Sequence, residues 1–536
     1  MSAAASKFDF IVVGSGSAGS TLAAKLSESG KYTVLLLEEG GQAGWLSLLP
    51  KGYGKLISDP KHAYFYPVEK DPWGPDKTWI RGKMIGGSSA INGMVWIRAG
   101  REDYETLDQM GLEGWNWQTQ LPYLRQLEDH QLGSNEFRGA GGPVEINTNP
   151  NPTRLADAFV QAGRAIGLHV KNDQNGPTLE GVGYAQWNID RSGKRVSAAR
   201  AFLDPARKRT NLTIVTGMRV DTVELTGNKV TGVSGISNGG KVTYSAGREV
   251  ILCAGALASP RILQLSGIGD ADVLKAAGIA IRVHSPNVGR KMREHLTLPI
   301  NFRLRHWQDS QNRDFGGWRL LANACRYFAT GKGPLSIGAA EAIAFVKALP
   351  NAPRADTQIM YNPYSYILGP KGIGFETEPG MQLYSYYLRP KSQGSVLVRS
   401  SDPSAALVVE PNWLDHEEDR AGTIAGTRMI RKIMSQSVFQ TFVTGETSLT
   451  SQAHSDDEIL DMTRGLGQSG YHAVGTAAMG AEPQAVLDPR LRVRGVSGLR
   501  VVDCSIFPEI PSGNTNAPTM AAGLYAADMI LNDAKA

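Results

Sequence analysis

Residues Phe8 to Glu38 constrain this chain more than any other stretch, because a strand, a glycine turn, a helix and a second strand follow one another there without interruption. Phe8-Asp9-Phe10-Ile11-Val12-Val13 is a short apolar run of the kind that makes a strand buried on both faces. It passes straight into Gly14-Ser15-Gly16-Ser17-Ala18-Gly19. A dinucleotide site asks for a sharp turn at the first glycine, close approach of a pyrophosphate to bare backbone at the second, and tight packing of helix on strand at the third. The pattern predicts a helix from about Ser17 to Ser29, with Leu22, Ala23 and Leu26 turned inward and Gly30 as a left-handed stop. Its free N-terminal amides would face the phosphates. Tyr32 to Leu37 reads as the second strand, and Glu38 stands where an acid accepts hydrogen bonds from a ribose 2′-hydroxyl. The glycines alone also fit a turn without a ligand; strand, glycines, helix, strand and acid in that order favour the dinucleotide.

A chain of 536 residues is too long for one ordinary core, so two or three folding units are expected. It holds 61 glycines, well above the roughly 7% of average usage, which suggests a cofactor lying against backbone through the middle of the protein. The net charge of +5 is not gathered into a patch, and the basic residues between Lys51 and Lys61 and between Arg191 and Arg195 lack the interleaved aromatics of a nucleic-acid surface. Cys253, Cys325 and Cys504 are too few and too far apart for a disulfide framework or a metal site. The N-terminal segment runs directly into the first strand, so an export signal would remove the fingerprint itself. No apolar run approaches the ~18 residues that span a bilayer. These features together imply a cytoplasmic protein.

After Glu38-Glu39-Gly40-Gly41 comes an irregular stretch carrying Tyr53, Tyr64, Phe65, Tyr66, Trp73 and Trp79. A loop this long is usually functional or covers something. It leads to Arg81-Gly82-Lys83-Met84-Ile85-Gly86-Gly87-Ser88-Ser89-Ala90-Ile91-Asn92-Gly93-Met94, where small residues between glycines would lay backbone against a flat ring or a pyrophosphate. Glu249 to Gly255 is a further buried strand ending in small residues, the usual ligand-facing edge of an open sheet, with Cys253 read as core.

In these motifs the chain resembles the glucose-methanol-choline family of FAD oxidoreductases. Gly82 to Met94 is similar to the first family signature and Gly255 to Gly269 to the second. Trp115, a helix start at Leu121-Pro122-Tyr123-Leu124, Gly141 to Val144, Ser197 to Leu203 and Asn287 to His295 also look like family landmarks. The resemblance implies an α/β fold, α+β overall. A Rossmann-like FAD-binding domain would be formed by 1–150, 196–300 and 480–536, and a discontinuous substrate domain on an antiparallel sheet by 151–195 and 301–479. The cofactor contacts it implies are Gly14 to Gly19, Glu38, Glu39 and Arg81, then Gly86, Gly87 and Ser88, then Asn92, Gly93, Met94 and Val95. Further along they are Val220, Ala254, Asp503, Cys504, Asn514 and Thr515. Members that bind flavin covalently carry a histidine where Ile91 stands, so non-covalent, dissociable FAD is expected.

Gly470-Tyr471-His472 to Gly480 resembles the family's catalytic-histidine motif, and Gly513-Asn514-Thr515-Asn516 to Thr519 the stretch that supplies its partner. Alcohol oxidation needs a base for the hydroxyl proton and an acceptor for the hydride; imidazole suits the first, oxidised flavin the second. His472 is therefore expected to be the base and Asn516 the donor to the developing alkoxide, with Asn514 and Thr515 at the flavin edge. His295 reads as structural more than chemical. Strand-like runs at Gln382 to Leu388 and Ser395 to Arg399 suggest the sheet over the cofactor, and Tyr361, Tyr364, Tyr366, Trp413 and Tyr471 are candidates to line the substrate pocket.

The expected reaction is oxidation of a primary alcohol with an apolar or aromatic body, such as an aryl or furan alcohol, with oxygen or another electron acceptor restoring the flavin. Choline, sorbose-like sugars and polyethers are alternatives within the family, choline asking for an acid or an aromatic cage. An FAD-containing hydroxynitrile lyase, a flavin-binding protein without turnover and a nicotinamide dehydrogenase are the readings from other classes.

Overall fold

A computed structural model describes residues 7–69, 77–369 and 372–535, with the backbone alone for 367–369, 372 and 373. Strand β1 (Lys7–Val13), helix α1 (Ser17–Leu26) and strand β2 (Val34–Glu38) form in the order the fingerprint predicts. The helix stops one turn earlier than its pattern suggests, and Gly30 takes its left-handed conformation in the turn beyond. Val34 to Glu38 are all buried, as are Phe10 to Val13, which is why neither strand alternates polar and apolar residues.

The first sheet places Leu212–Thr216, β2, β1 and the C-terminal half of Gly240–Leu252 side by side in parallel, with Leu499–Val501 beyond. The N-terminal half of Gly240–Leu252 turns into an antiparallel meander with Lys229–Ser237 and Met218–Thr226. Residues that enter this sheet thus come from both ends of the chain. The C-terminal helix Asn516–Asp533 covers α1, and small residues allow close approach: a Cβ on Gly523 would lie 2.9 Å from the carbonyl oxygen of Ala18. The helix expected at Leu121 starts earlier, at Trp117 under an Asn116 cap, and Pro122 lies inside it.

The second sheet is antiparallel over most of its width, in the order Val443–Glu446, Leu296–Leu304, Gly380–Tyr387, Thr357–Asn362, Ala342–Val346, Gly181–Tyr184, Val170–Lys171. One face packs on the helices Arg154–Ala165 and Glu417–Met434 through Leu298, Ile300, Ile359, Tyr361, Leu383, Ile430 and Ile433. Because side chains alternate along a strand, the intervening Pro299, Met360, Asn362, Tyr384 and Tyr386 point the other way, into a cavity between the two sheets. The architecture is mixed α/β.

Candidate active site

The cavity has a volume of about 1030 Å³ and is walled by the first sheet's C-terminal edge, the 81–95 segment, the second sheet and the start of the C-terminal helix. Its dinucleotide half is built on β1. Gly14 has φ +99°, and a Cβ there would come 2.5 Å from the carbonyl oxygen of Cys253; one on Gly19 would come 1.9 Å from the carbonyl oxygen of Gly14. Both turn and helix packing therefore demand glycine. A Cβ on Gly16 would meet nothing within 4 Å, because that residue faces the open cavity. The Glu38 carboxylate accepts from the Ser15 amide (3.0 Å) and hydroxyl (2.6 Å) and from the Gly40 amide (2.8 Å), which locks the glycine turn to the end of β2. Burial pushes the Glu38 carboxyl up, and those three donors oppose the shift.

Gly14, Gly16, Ser17, Ala18, Glu38, Glu39, Arg81, Gly87 and Ser88 line this half, together with Asn92 to Val95, Val220, Ala254, Asp503, Cys504 and Thr515. Ser15, Gly19 and Gly86 stand behind the wall and shape it. Asn92 is oriented from behind by Arg195, whose guanidinium donates to its Oδ1 at 2.7 Å and is 1% exposed. No local pattern marks Arg195, because the 103 positions between the two residues are closed only by the fold. Asp503 accepts from the Gly255 amide (2.8 Å) and the Ser259 hydroxyl (2.5 Å) and so ties the second glycine stretch to the last strand. Cys253 packs beneath the glycine turn, its thiol pushed up by burial.

His472 lies at the junction of the two halves. The Gly470-Tyr471-His472 turn is held by Glu294, which accepts from the His472 amide (2.8 Å) and the Ser469 hydroxyl (3.0 Å), while Tyr471 N–H donates to that same hydroxyl (2.9 Å). These bonds sustain Tyr471 at φ 63°, a conformation that costs a non-glycine residue on the order of 1–3 kcal/mol. Burial pushes the Glu294 carboxyl up to about 7, opposed by Arg81, whose guanidinium lies 3.7 Å away.

Three hydrogen bonds define the protonation of the imidazole. His295 Nε2 lies 2.9 Å from the carbonyl oxygen of Leu388, which only accepts, so Nε2 carries the proton. Burial drives His295 down to about 3, so its Nδ1 is a bare acceptor at neutral pH. That Nδ1 lies 2.9 Å from His472 Nδ1, which must then be the protonated nitrogen. His472 is itself held well below its ordinary value by burial, then by His295 and Arg81. Its Nε2 keeps an unprotonated lone pair on the cavity side, where it accepts from Asn514 Nδ2 at 3.1 Å. The Tyr386 ring stacks on His295 at 4.3 Å and meets His472 edge-on at 5.7 Å, which keeps both imidazoles in place.

Asn514, not Asn516, is thus the neighbour of His472, contrary to the expected division of roles. The C-terminal helix begins at Asn516, whose Oδ1 accepts from Ser17 Oγ at 2.7 Å on the dinucleotide side, whereas Asn514 precedes the helix and reaches across to the histidine. Two other expectations fail on side-chain direction. Tyr361 points to the far face of the second sheet, stacked on Phe159 at 6.0 Å with its hydroxyl 3.3 Å from Thr153 Oγ1. Trp413 packs on Trp79 in a separate cluster, ring centres 5.8 Å apart. Tyr364, Tyr366 and Tyr471 do line the cavity, with Tyr53, Tyr384 and Tyr386.

The N-terminal model of the GMC oxidoreductase family matches residues 8–297 and its C-terminal model 390–523. The chain belongs to the GMC oxidoreductase family. The oxygen-dependent choline dehydrogenase of Rhizobium etli is 37% identical over 98% of this chain and 95% of its own length. Among solved structures, the pyridoxine 4-oxidase of Mesorbium loti is similar at a TM-score of 0.87 and 30% identity, covering 97% of this chain and 98% of that one. A formate oxidase of Aspergillus oryzae reaches a TM-score of 0.90 at 25% identity over 99% and 100% of the two chains. As a GMC oxidoreductase the protein is an FAD enzyme that acts on CH–OH groups. The residues present fit the group: bare backbone at Gly16, a buried carboxylate at the end of β2, and two buried polar atoms, Asn514 Oδ1 and Asn516 Nδ2, without partners in the described structure and placed on the cavity wall. Among the described residues no helix is long and apolar enough to cross a membrane.

Proposed function

We propose that this protein oxidises a primary alcohol with an aromatic or apolar body to the aldehyde, with His472 as the base and Asn514 as the donor to the alkoxide. The observation that carries the reading is the unprotonated His472 Nε2, which accepts from the Asn514 amide at 3.1 Å in the wall of the cavity. An alcohol hydroxyl that binds beside the pair, taking over both contacts, gives its proton to Nε2, and the Asn514 N–H then stabilises the negative charge left on oxygen. The His295 chain passes the new imidazolium's Nδ1 proton a firm acceptor, so the ring cannot swing away as it charges. FAD, when bound, takes up the hydride from the alcohol carbon. Gly16, Gly87, Glu38, Asn516 and the 92–95 segment would hold it, and Tyr384, Tyr386 and Met360, which line the same cavity, would help to exclude water.

The aromatic wall favours a flat or apolar alcohol, in keeping with the pyridoxine oxidase likeness, since pyridoxine is an aromatic ring bearing hydroxymethyl groups. Choline is the competing substrate, favoured by the name of the Rhizobium relative. Against it, the carboxylates lining the cavity are Glu38, Glu39 and Asp503, all on the dinucleotide side and all engaged by protein donors. Oxygen is the proposed acceptor, from the oxidase likeness, and the unpaired Cys253, Cys325 and Cys504 fit a reducing cytoplasm.

The test is anaerobic reduction of the purified flavoprotein by a panel of alcohols, followed by air. An aryl or furan alcohol should bleach the flavin and air should restore it within seconds. Bound FAD that no alcohol bleaches would overturn the reading in favour of a lyase, and slow recovery in air would replace oxygen by another acceptor.

A further inference from the structure

The wall of the cavity already contains a basic side chain. Lys51, in the short turn Pro50–Gly52, extends its ammonium among aromatic rings: Nζ donates to the carbonyl oxygen of Gly338 (2.7 Å) and to the Tyr364 hydroxyl (3.3 Å). It lies 4.6 Å from the centre of the Tyr364 ring and 5.8 Å from that of Phe315. The Tyr53 hydroxyl sits 3.3 Å from that of Tyr364, so two phenols and the amine converge on one place in the wall.

An aromatic enclosure of this kind is what a quaternary ammonium ligand would seek, and here the chain's own lysine stands in it. Its charge has no counter-ion: among the described residues no carboxylate comes within ion-pair distance of Nζ. Glu341, whose charge reaches it from farther off, is committed elsewhere, accepting from Asn149 Nδ2 (2.5 Å) and the Thr153 hydroxyl (2.5 Å). A buried unpaired ammonium is costly. Burial accordingly brings Lys51 down to about 7. An ammonium has three N–H donors and two are used by protein acceptors, which leaves one for a ligand.

Resting on the alcohol-oxidation reading above, we propose that the Lys51 ammonium, with the Tyr53 hydroxyl beside it, forms an anion-accepting subsite, while the Tyr364 hydroxyl, which donates to the Ala339 carbonyl (3.1 Å), holds the amine in place. The preferred alcohols then carry a carboxylate or similar anionic group on the aromatic body, and alcohols with a quaternary ammonium are refused. Two like charges at about 5 Å in such a site disfavour binding by on the order of 100-fold, and an anion gains in the opposite sense while the amine is protonated. Glu294, brought up to about 7 beside His472, also ionises between pH 6 and 8, so the comparison with Lys51→Met isolates the share of the lysine. Of the groups facing Lys51, burial pushes the phenols of Tyr53 and Tyr364 and the carboxyl of Glu341 up, the last opposed by its Thr153 and Asn149 donors, and brings Arg195 down to about 9.

The experiment uses three benzyl alcohols of equal length on the FAD-loaded protein: 4-(hydroxymethyl)benzoate, 4-methylbenzyl alcohol and the 4-trimethylammonio analogue, with choline beside them. The reading is kcat/KM for each, and the dissociation constant of terephthalate from the shift it causes in the flavin spectrum. In the natural protein at pH 6 the order should be carboxylate, neutral, cation, with at least tenfold between neighbours, and terephthalate should bind more weakly as pH rises to 8. Lys51→Met should collapse the ratios and the pH dependence of terephthalate binding, and Lys51→Arg should keep them. Equal rates across the three alcohols, or ratios unchanged in Lys51→Met, would overturn the subsite while leaving alcohol oxidation intact. If Lys51→Met does not fold, the order of the three alcohols in the natural protein at pH 6 decides. No turnover with any of the four would sink the alcohol reading and this one with it.

Discussion

Asn514 and Asn516 are two positions apart and have the same side chain, yet the structure gives them different work. Asn514 Nδ2 meets His472 Nε2, and Asn516 Oδ1 meets Ser17. A hydrogen bond to a developing charge contributes about 1.5–3 kcal/mol, so Asn514→Ala should slow flavin reduction by roughly 10- to 100-fold in stopped-flow measurements. Asn516→Ala should instead weaken FAD retention, read from the flavin-to-protein absorbance ratio after gel filtration. Equal effects of the two substitutions on reduction would refute the division. The base must be unprotonated to work, and its folded value lies below 6.5. Protonation of Nε2 should therefore limit the rate only below pH 6.5, and any change between pH 6.5 and 8 should disappear in Glu294→Gln, which removes the carboxyl brought up to about 7. His295→Ala removes the neighbour that fixes the ring tautomer, so both its rate and the shape of this profile should change; a loss confined to thermal stability would make His295 merely structural.

Among the elements, the strand Thr357–Asn362 shows how a one-residue step separates core from site. Tyr361 faces the helices and Met360 the cavity. Tyr361→Phe should leave kcat/KM within error, while loss of the 3.3 Å contact to Thr153 lowers stability by about 0.5–1.5 kcal/mol, measured by urea unfolding. The turn between β1 and α1 is less forgiving. Gly19→Ala would set its Cβ 1.9 Å from the carbonyl oxygen of Gly14, so the helix must lift from the strand, and the variant should purify without yellow colour. The glycine turn was legible because its demands are local: sharp turn, bare backbone and close packing occur within six consecutive residues. Tyr361 and Trp413 were not, because tyrosine and tryptophan serve a core and a pocket equally well, and strand phase is set by the partners across the sheet.

For the whole molecule, the cavity that would hold the cofactor lies between two sheets, so cofactor binding belongs to the folding equilibrium. FAD at 100 times its dissociation constant adds about 2.7 kcal/mol to the folded state. Removing it should lower Tm by several degrees, and added FAD should restore it. Ile91, which lines the cavity where a covalent member has histidine, allows the test: acid precipitation should release all the flavin to the supernatant. Flavin remaining on the pellet would show a covalent link.

What the sequence by itself determined is whatever rests on neighbours in the chain: the dinucleotide turn with its acid, the family and the cofactor. Each is a run of residues whose chemistry needs only local backbone geometry. What only the tertiary structure decided rests on residues far apart. The proton chain from the Leu388 carbonyl through His295 to His472 joins residues from 295 to 472, the Arg195 prop under Asn92 spans 103 positions, and Lys51 meets Tyr364 across 313. Such contacts leave no spacing to read, because the distance between the partners is set by the packing of two sheets and not by the chain that connects them.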